Sequence, residues 1–236
     1  MPGKNIRLFF GHPMLAYSVS AALNSGLFDE VVVSSDDPET GRIAEGYGAH
    51  FVLRPTELAS DDAGLVGTAR HVLEVLRIRG KEPQYICQCM PNCPLVRSAD
   101  IQQHWRIFND EHRPFQISVV PYRGVYPHWA IVSDGQYRGR WLLGERYQSR
   151  SQELPQAFCP TGAIWWARTR DFLEQNAFYG SPFHIAPMDA NRGMDIDDEE
   201  DLKLAELLVH GLTVRDGSSP LEVPVDIALA RESLSA

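Results

Sequence analysis

Apolar and polar positions alternate between a helical and an extended period along most of the chain, which predicts helices and strands in turn. Leu15, Val19 and Leu23 recur at helical spacing in a segment that ends near Gly26. The apolar run 31–33 that follows is typical of a strand buried on both faces. Because this succession repeats, the pattern predicts an α/β fold in which helices cover both faces of a mostly parallel sheet.

Capping residues and short apolar runs place the later elements. Asp37 and Ser98 are predicted to begin two helices, since short oxygen-bearing side chains accept hydrogen bonds from the first free N–H groups of a helix. Further helices are predicted over about 65–79 and 199–210. The remaining strands are predicted at 50–53, 85–90, 117–120, 163–166 and 184–188.

Residues 121–155 interrupt the alternation. Gly, Pro, aromatic residues and Arg crowd together there without an amphipathic period, which predicts a protruding hairpin or small subdomain of the kind that forms interfaces. We call this segment the excursion. We expect residues 1–212 to form one domain that includes the excursion, and residues 213–236 to form a C-terminal tail, to which the sequence assigns no role.

Composition limits the class of protein. The 236 residues are 44% hydrophobic, enough for one sizeable core, and the net charge of −9 argues against a nucleic-acid-binding surface. An acidic protein can still hold a triphosphate through a local group of basic side chains and a cation. The sequence contains neither an apolar run long enough to span a membrane nor a secretion signal, so we expect a cytoplasmic protein without a membrane partner.

The cysteines are predicted to be free thiols. Cys87 and Cys89 alternate along one predicted strand and, with Cys93, raise the alternative of a metal–thiolate site. Buried strands commonly use Cys as a small apolar residue, and the chain has no Cys-x-x-Cys pair. The residues therefore favour packing over metal binding.

Two acidic residues near the C-terminal helix are candidates for cation binding. If Asp195 and Asp197 lie on an extended segment, their side chains share one face and can hold Mg²⁺ against substrate phosphates. The alternative is that these acids cap the following helix and interact with its dipole. The acids at 198–201 are assigned to that structural role.

Three basic or polar positions are further candidates. Lys4, beside a Gly-containing turn, can neutralise a phosphate, or can simply be solvated. Arg54 follows a predicted strand and is either a ligand contact or a loop anchor. Arg150 has the planar fork that suits a carboxylate and Gln152 has amide groups that suit hydroxyls, with surface ion pairing as the alternative.

Several short motifs occur together in a fixed order over about residues 2–212. In chain order they are Lys4–Arg7, Gly11–Tyr17, Ala21–Asp37, Leu53–Asp61, Met90–Leu95, Ser151–Pro155, Thr161–Trp165 and Met194–Asp197. Their combination resembles the acylneuraminate cytidylyltransferases, or CMP-sialic acid synthetases, and their legionaminate and pseudaminate relatives. The combination is far more specific than any one of its motifs.

The resemblance implies a fold, a reaction and partners. It implies a Rossmann-like nucleotidyltransferase fold that forms a homodimer through the excursion. The implied reaction transfers CMP from CTP to a nonulosonic acid and releases pyrophosphate, for cell-surface glycan biosynthesis. Mg²⁺ is the implied cofactor.

The resemblance also implies roles for individual residues. Asp195 and Asp197 would hold the metal and, with Lys4, act in catalysis. Lys4, Asn5 and Arg54 would contact the nucleotide. Five positions would contact the sugar, namely Arg150, Gln152, Trp165, Phe178 and Tyr179.

The sequence departs from the resembled family at its start and around the sugar. Family members open with a strand and a glycine-rich phosphate-binding loop, and this sequence begins after that position, so we expect exposed apolar neighbours beside the place of that strand. Met90 replaces a glutamine, which with Thr161 and Trp165 favours a legionaminate-like sugar over N-acetylneuraminate. The alternatives are a related nucleotidyltransferase with another nucleotide or acceptor, or an impaired remnant without the N-terminal loop.

Overall fold

The structure, a computed structural model, describes residues 1, 3–58, 64–122, 126–144 and 150–225. Within these ranges the α-helices are α1 (Met14–Ser25), α2 (Pro38–Gly46), α3 (Gly64–Ile78), α4 (Ser98–Asp110), α5 (Thr169–Gln175) and α6 (Glu199–Asp216). The strands are β1 (Leu8–Phe9), β2 (His12–Pro13), β3 (Val32–Ser35), β4 (His50–Leu53), β5 (Tyr85–Gln88), β6 (Phe115–Pro121), β7 (Ile131–Ser133), β8 (Gly139–Trp141), β9 (Phe158–Arg168) and β10 (His184–Pro187). None of the described helices combines the length and apolarity needed to cross a bilayer.

The largest sheet has the strand order β10-β6-β9-β5 and is mixed. β10 runs parallel to β6, whereas β9 runs antiparallel to both of its neighbours, β6 and β5. The prediction of a mostly parallel sheet is therefore wrong for this sheet. The described part of the excursion contains no α-helix that could carry the chain back to the starting edge, so the chain leaves β6 and returns through β9 in the opposite direction.

β3 and β4 form a separate parallel pair in which Val32 lies opposite His50. The connecting helix α2 begins as predicted, because the Asp37 carboxylate accepts hydrogen bonds from the backbone N–H groups of Glu39 and Thr40. A helical crossover of this kind returns the chain in the same direction, so here the expected β-α-β arrangement is confirmed.

Helices cover both faces of the larger sheet, as predicted. Trp165 and Trp166 are neighbours on β9, so their side chains point to opposite faces. Trp166 stacks against Phe28 and packs with Phe108 of α4, whereas Trp165 contacts Phe178, which follows α5. α1 packs in the apolar cluster on the Trp166 face of the sheet, and α3 packs in the cluster on the Trp165 face.

A cleft of about 950 Å³ lies between the largest sheet and the β3–β4 pair. Its walls include β3 and β5, each of which is paired on only one side within the described residues, and apolar side chains of α1 and α3. Lys81 and Glu30 form an ion pair where the two strands begin. At the other end, where the strands finish, the cleft is lined by Arg54, Asn92 and Lys4.

Several helices differ from the sequence-based prediction. Arg97, not Ser98, is the N-cap of α4, because its backbone is extended and the helix begins at Ser98. The Ser98 backbone N–H donates to the Glu222 carboxylate of the C-terminal segment. α5 was not predicted. α6 continues to Asp216, and Leu221 beyond it is buried, which extends the packed part of the chain past residue 212.

The excursion contains a two-stranded antiparallel sheet, β7 and β8. The turn between β7 and β8 and the residues that follow β8 carry exposed apolar side chains, including those of Tyr137, Leu142 and Leu143. Residues 123–125 and 145–149 of the excursion, and residues 226–236 of the predicted tail, lie outside the described residues.

Candidate active site

Asp195 and Asp197 lie between β10 and α6, in a segment anchored at its C-terminal end by a helix cap. The Asp198 carboxylate accepts hydrogen bonds from the backbone N–H groups of Glu200 and Asp201. The Asp201 carboxylate in turn accepts from the backbone N–H of Asp197 at 3.0 Å. This reciprocal cap confirms the structural role predicted for Asp198 and Asp201 and fixes the backbone beside Asp197.

Ile196 anchors the middle of the same segment. Its side chain is fully buried in a core cluster with Phe9 and Leu95. Its backbone N–H donates to the Asn92 carbonyl oxygen at 2.9 Å, which joins the loop after β5 to the loop after β10. The two candidate carboxylates are thus carried on either side of a buried apolar anchor.

Lys4 and Asp197 form the first charged contact of the site. The Lys4 Nζ lies 2.6 Å from Asp197 Oδ1, and Asn92 Nδ2 donates to the same oxygen at 3.0 Å. The hydrogen bond from Lys4 is the largest cause that lowers the pKa of Asp197. The carboxylate is therefore held in its charged form, and the structure brings together two residues that the sequence singled out separately.

Asp195 has a buried thiol partner. The Cys93 Sγ lies 2.9 Å from Asp195 Oδ1, and Cys93 is fully buried. Burial first, and then the charge of Asp195, raise the pKa of this thiol well above its ordinary value. Cys93 is therefore a neutral S–H donor to the carboxylate.

The donor set fits a Mg²⁺ ion that keeps substrate and water ligands. Among the described residues, no hydrogen bond reaches Oδ2 of Asp195 or Oδ2 of Asp197, so each carboxylate has a free oxygen. No cluster of three or more His, Cys, Asp or Glu ligands occurs in the described ranges. Mg²⁺ is commonly held by one or two carboxylates together with substrate phosphates, so two carboxylates suffice. Oδ1 of Asn5 and Oδ1 of Asn92 are also buried without a hydrogen-bond partner.

Arg54 is fixed at the wall of the cleft, which Asn5 also lines. Its guanidinium donates to Asp36 Oδ1 at 3.0 Å and to Thr68 Oγ1 at 3.2 Å. The hydrogen bond from Arg54 lowers the pKa of Asp36. Asp36 and Thr68 therefore hold the guanidinium in one orientation. This arrangement agrees with a ligand contact and with a loop anchor, the two interpretations that the sequence left open.

The strand β9 passes close to the two carboxylates. A Cβ atom added at Gly162 would lie 2.6 Å from the Met90 side chain and 3.8 Å from Asp195 Oδ1. The Met90 backbone N–H also donates to the Gly162 carbonyl oxygen at 3.0 Å. A side chain at position 162 would therefore collide with the neighbouring loop beside Asp195.

The predicted aromatic residues lie on the opposite side of β9 from Trp166. Trp165 Nε1 donates to the Thr161 carbonyl oxygen at 2.6 Å, and its ring meets Tyr179 edge to face at 5.6 Å. Tyr179 is exposed. Phe178 is fully buried and packs against Phe172 in an apolar cluster, so a large part of its role is structural.

Arg150 and Gln152 lie near the C-terminal end of the excursion and are exposed. No described hydrogen bond or ion pair joins either side chain to Asp195 or Asp197. The structure therefore does not bring these two candidates into contact with the carboxylates.

Comparison with known proteins adds the family. Residues 1–126, more than half of the chain, match the sequence profile of the family described as Cytidylyltransferase. The chain belongs to the cytidylyltransferase family. It is similar to the pseudaminic acid cytidylyltransferase of Campylobacter jejuni, with 30% identity over 210 residues that cover 88% of this chain and 90% of the relative.

Two further comparisons concern a longer relative and a solved structure. The N-acylneuraminate cytidylyltransferase of Escherichia coli is 30% identical over 202 residues, which cover 86% of this chain and 47% of that longer protein. The crystal structure of 2-C-methyl-D-erythritol 4-phosphate cytidylyltransferase from Thermus thermophilus matches with a TM-score of 0.60 at 16% identity, over 89% of this chain and 95% of that chain. At that identity the structural match concerns the fold alone.

Sequence reasoning missed two side chains of this cytidylyltransferase's candidate site. Asn92 contacts Asp197 and Cys93 contacts Asp195. The sequence does not single out Asn92, and for Cys93 it raises only a metal–thiolate site, which it rejects in favour of packing. All four cysteines are free, as predicted. The available signal was position, because residues 92 and 93 follow β5 at the end of a strand, where α/β sheets bind ligands.

Proposed function

We propose that this chain transfers CMP from CTP to a nonulosonic acid of the neuraminate, legionaminate or pseudaminate type and releases pyrophosphate. The observation that carries the proposal is the contact between Lys4, Asn92 and Asp197, with Asp195 beside it, where the cleft between the sheets ends. The 30% identity to relatives named for pseudaminic and N-acylneuraminic acid supports this class of acceptor.

In this proposal the chain positions charged reactants. The anomeric oxygen of the sugar forms a bond to the α-phosphorus of CTP as the bond to pyrophosphate breaks and the hydroxyl proton is released. Asp195 and Asp197 would hold Mg²⁺ through their free oxygens, and the cation would neutralise charge on the phosphates. Lys4 would donate to a phosphate oxygen, and Asn5 and Arg54 would contact the nucleotide from the cleft wall.

The sugar would lie beside β9. Trp165 and Tyr179 present aromatic surface on one face of β9, whereas Met90 lies beside Gly162 and Asp195 on the face that carries Trp166. Phe178 would support this surface from the core. Arg150 and Gln152 are proposed to reach the sugar carboxylate and hydroxyls across the dimer.

The proposed assembly is a homodimer formed through the excursion, with a cytoplasmic location. The proposed nucleotidyltransferase domain comprises residues 1–212 together with the end of α6 and the buried Leu221. Exposed Tyr137, Leu142 and Leu143 support an interface at β7 and β8, because apolar and aromatic side chains concentrate at the centres of protein interfaces.

Pyrophosphate release from CTP, measured with Mg²⁺ and a panel of nonulosonic acids, tests the function. Two proteins should be compared: this chain, and a version extended at its N-terminus by the opening strand and glycine-rich loop of the resembled family. We expect sugar-dependent release that Asp197→Asn abolishes. If both proteins are folded and release no pyrophosphate with any acceptor, the proposed function is wrong.

A further inference from the structure

Asn92 and Cys93 make one side-chain contact each with the two candidate carboxylates. Asn92 Nδ2 donates to Asp197 Oδ1 at 3.0 Å, and Cys93 Sγ lies 2.9 Å from Asp195 Oδ1. Between them, the Asn92 carbonyl oxygen accepts from the Ile196 backbone N–H at 2.9 Å. Adjacent residues of one loop therefore make three successive hydrogen bonds to three successive residues of another.

These contacts occupy one oxygen of each carboxylate and leave the other free. Both accepting atoms are Oδ1, and no described residue donates to the Oδ2 atoms. A carboxylate with one oxygen held by a rigid donor cannot rotate freely about its last torsion. The second oxygen is therefore presented in a defined direction.

Both donors are rigid because they are buried. Asn92 is 4% exposed and Cys93 is fully buried, packed with Val96 and Ile101. The thiol cannot exchange its carboxylate partner for water.

We propose that Asn92 and Cys93 are positioning residues that orient Asp197 and Asp195 for a divalent cation. The inference rests on the proposed function, because it takes those two carboxylates as the cation ligands. Outer-shell hydrogen bonds of this kind fix the geometry of metal ligands, and their loss typically weakens metal affinity or activity by about 10- to 100-fold. We call Asn92 and Cys93 the clamp.

The clamp and a simple packing role for Cys93 predict opposite rankings of the variants Cys93→Ala and Cys93→Ser. If Cys93 only fills space, Ala is tolerated and the buried hydroxyl of Ser is the poorer replacement. If Cys93 orients Asp195, Ser keeps a donor and Ala removes it. The conservative variant therefore decides between the two roles.

The test is Mn²⁺ affinity, measured by electron paramagnetic resonance of the free ion, with and without CTP. We expect Cys93→Ala and Asn92→Ala each to weaken Mn²⁺ binding by about tenfold, and Cys93→Ser to remain within about threefold of the wild type. Cys159→Ala, which removes a thiol whose side-chain hydrogen bond is with Tyr122, is the matched control. Thermal unfolding of every variant separates a loss of cation affinity from a loss of fold.

The outcomes distinguish the clamp from the function on which it rests. Wild-type binding that Asp195→Asn removes, but that Cys93→Ala and Asn92→Ala leave unchanged, overturns the clamp alone. A wild type that binds no Mn²⁺ in either condition overturns the cation site and the clamp together. If Cys93→Ala does not fold, Asn92→Ala and the comparison of Cys93→Ser with Cys93→Val give the same decision.

Discussion

Lys4 and Asp197 are in contact at 2.6 Å although 193 positions separate them in the chain. The contact joins the N-terminal turn to the segment before α6 and so closes the candidate site from two ends of the domain. The Lys4 ammonium neutralises part of the negative charge of Asp197. It therefore competes with a free cation for this carboxylate until a substrate phosphate binds the ammonium instead.

Replacement of Lys4 by Met should therefore have opposite effects on two ligands. Affinity for Mn²⁺ alone should not fall, since one competing positive charge is gone, whereas affinity for CTP in the presence of Mn²⁺ should fall by about tenfold, as for loss of a charged hydrogen bond. Isothermal titration measures both. Arg7→Met, which removes the exposed pair with Glu199, is the matched control. Equal losses of affinity for Mn²⁺ alone and for CTP would contradict the assignment of Lys4 as a phosphate contact.

Ile196 should determine the stability of the carboxylate segment, because its side chain is fully buried between the two acids. Ile196→Ala should lower the free energy of unfolding by about 2–5 kcal/mol and Ile196→Val by about 0.5–1.5 kcal/mol. Urea unfolding measures both values. The exposed Ile78→Ala should change stability by less than about 0.5 kcal/mol. A cost for Ile196→Ala as small as that would mean that the segment is not anchored in the core.

His104 should make the fold sensitive to mild acid. Burial lowers the pKa of this imidazole from 6.5 to about 4, and its Nδ1 has no described partner. As pH falls through about 6.5, the unfolded chain binds the proton and the folded chain does not, so stability decreases until pH reaches about 4. Between about pH 7 and about pH 5 this loss corresponds to about 2 kcal/mol.

Urea unfolding at the two pH values measures this loss. His104→Gln should remove most of the decrease in this window, while His50→Gln, at an exposed histidine, should leave it intact. The same pH dependence in the wild type and in His104→Gln would assign the effect to other groups.

The excursion should control the oligomeric state. Leu142→Ser combined with Leu143→Ser removes exposed apolar surface next to β8 and should convert a dimer into a monomer, because charged or polar groups at an interface centre leave it poorly packed. Light scattering during size-exclusion chromatography measures the mass. The paired control, Leu204→Ser with Leu207→Ser on the exposed face of α6, should leave the mass unchanged. A dimer that persists in the first variant would place the interface elsewhere.

Local chemistry was enough to predict most elements. α1 ends at Gly26, which has a positive φ of 66° that suits glycine, and α2 begins at the Asp37 cap, both as the sequence indicated. The strand at 50–53 has the predicted bounds. These features depend on neighbouring residues, on the helical and extended periods and on free N–H groups at helix ends, so they can be recognised without knowing the fold.

The direction of β9 and the contacts of the candidate site required the tertiary structure. β9 pairs with β6 and β5 in an order that no local period encodes, and its apolar run is compatible with either direction. Lys4 and Asp197 could be singled out by residue type, whereas the roles of Asn92 and Cys93 depend on two loops that meet only when the sheet is assembled. Sequence determines what each segment can form by itself, and the packing of distant segments decides which polar atoms face each other.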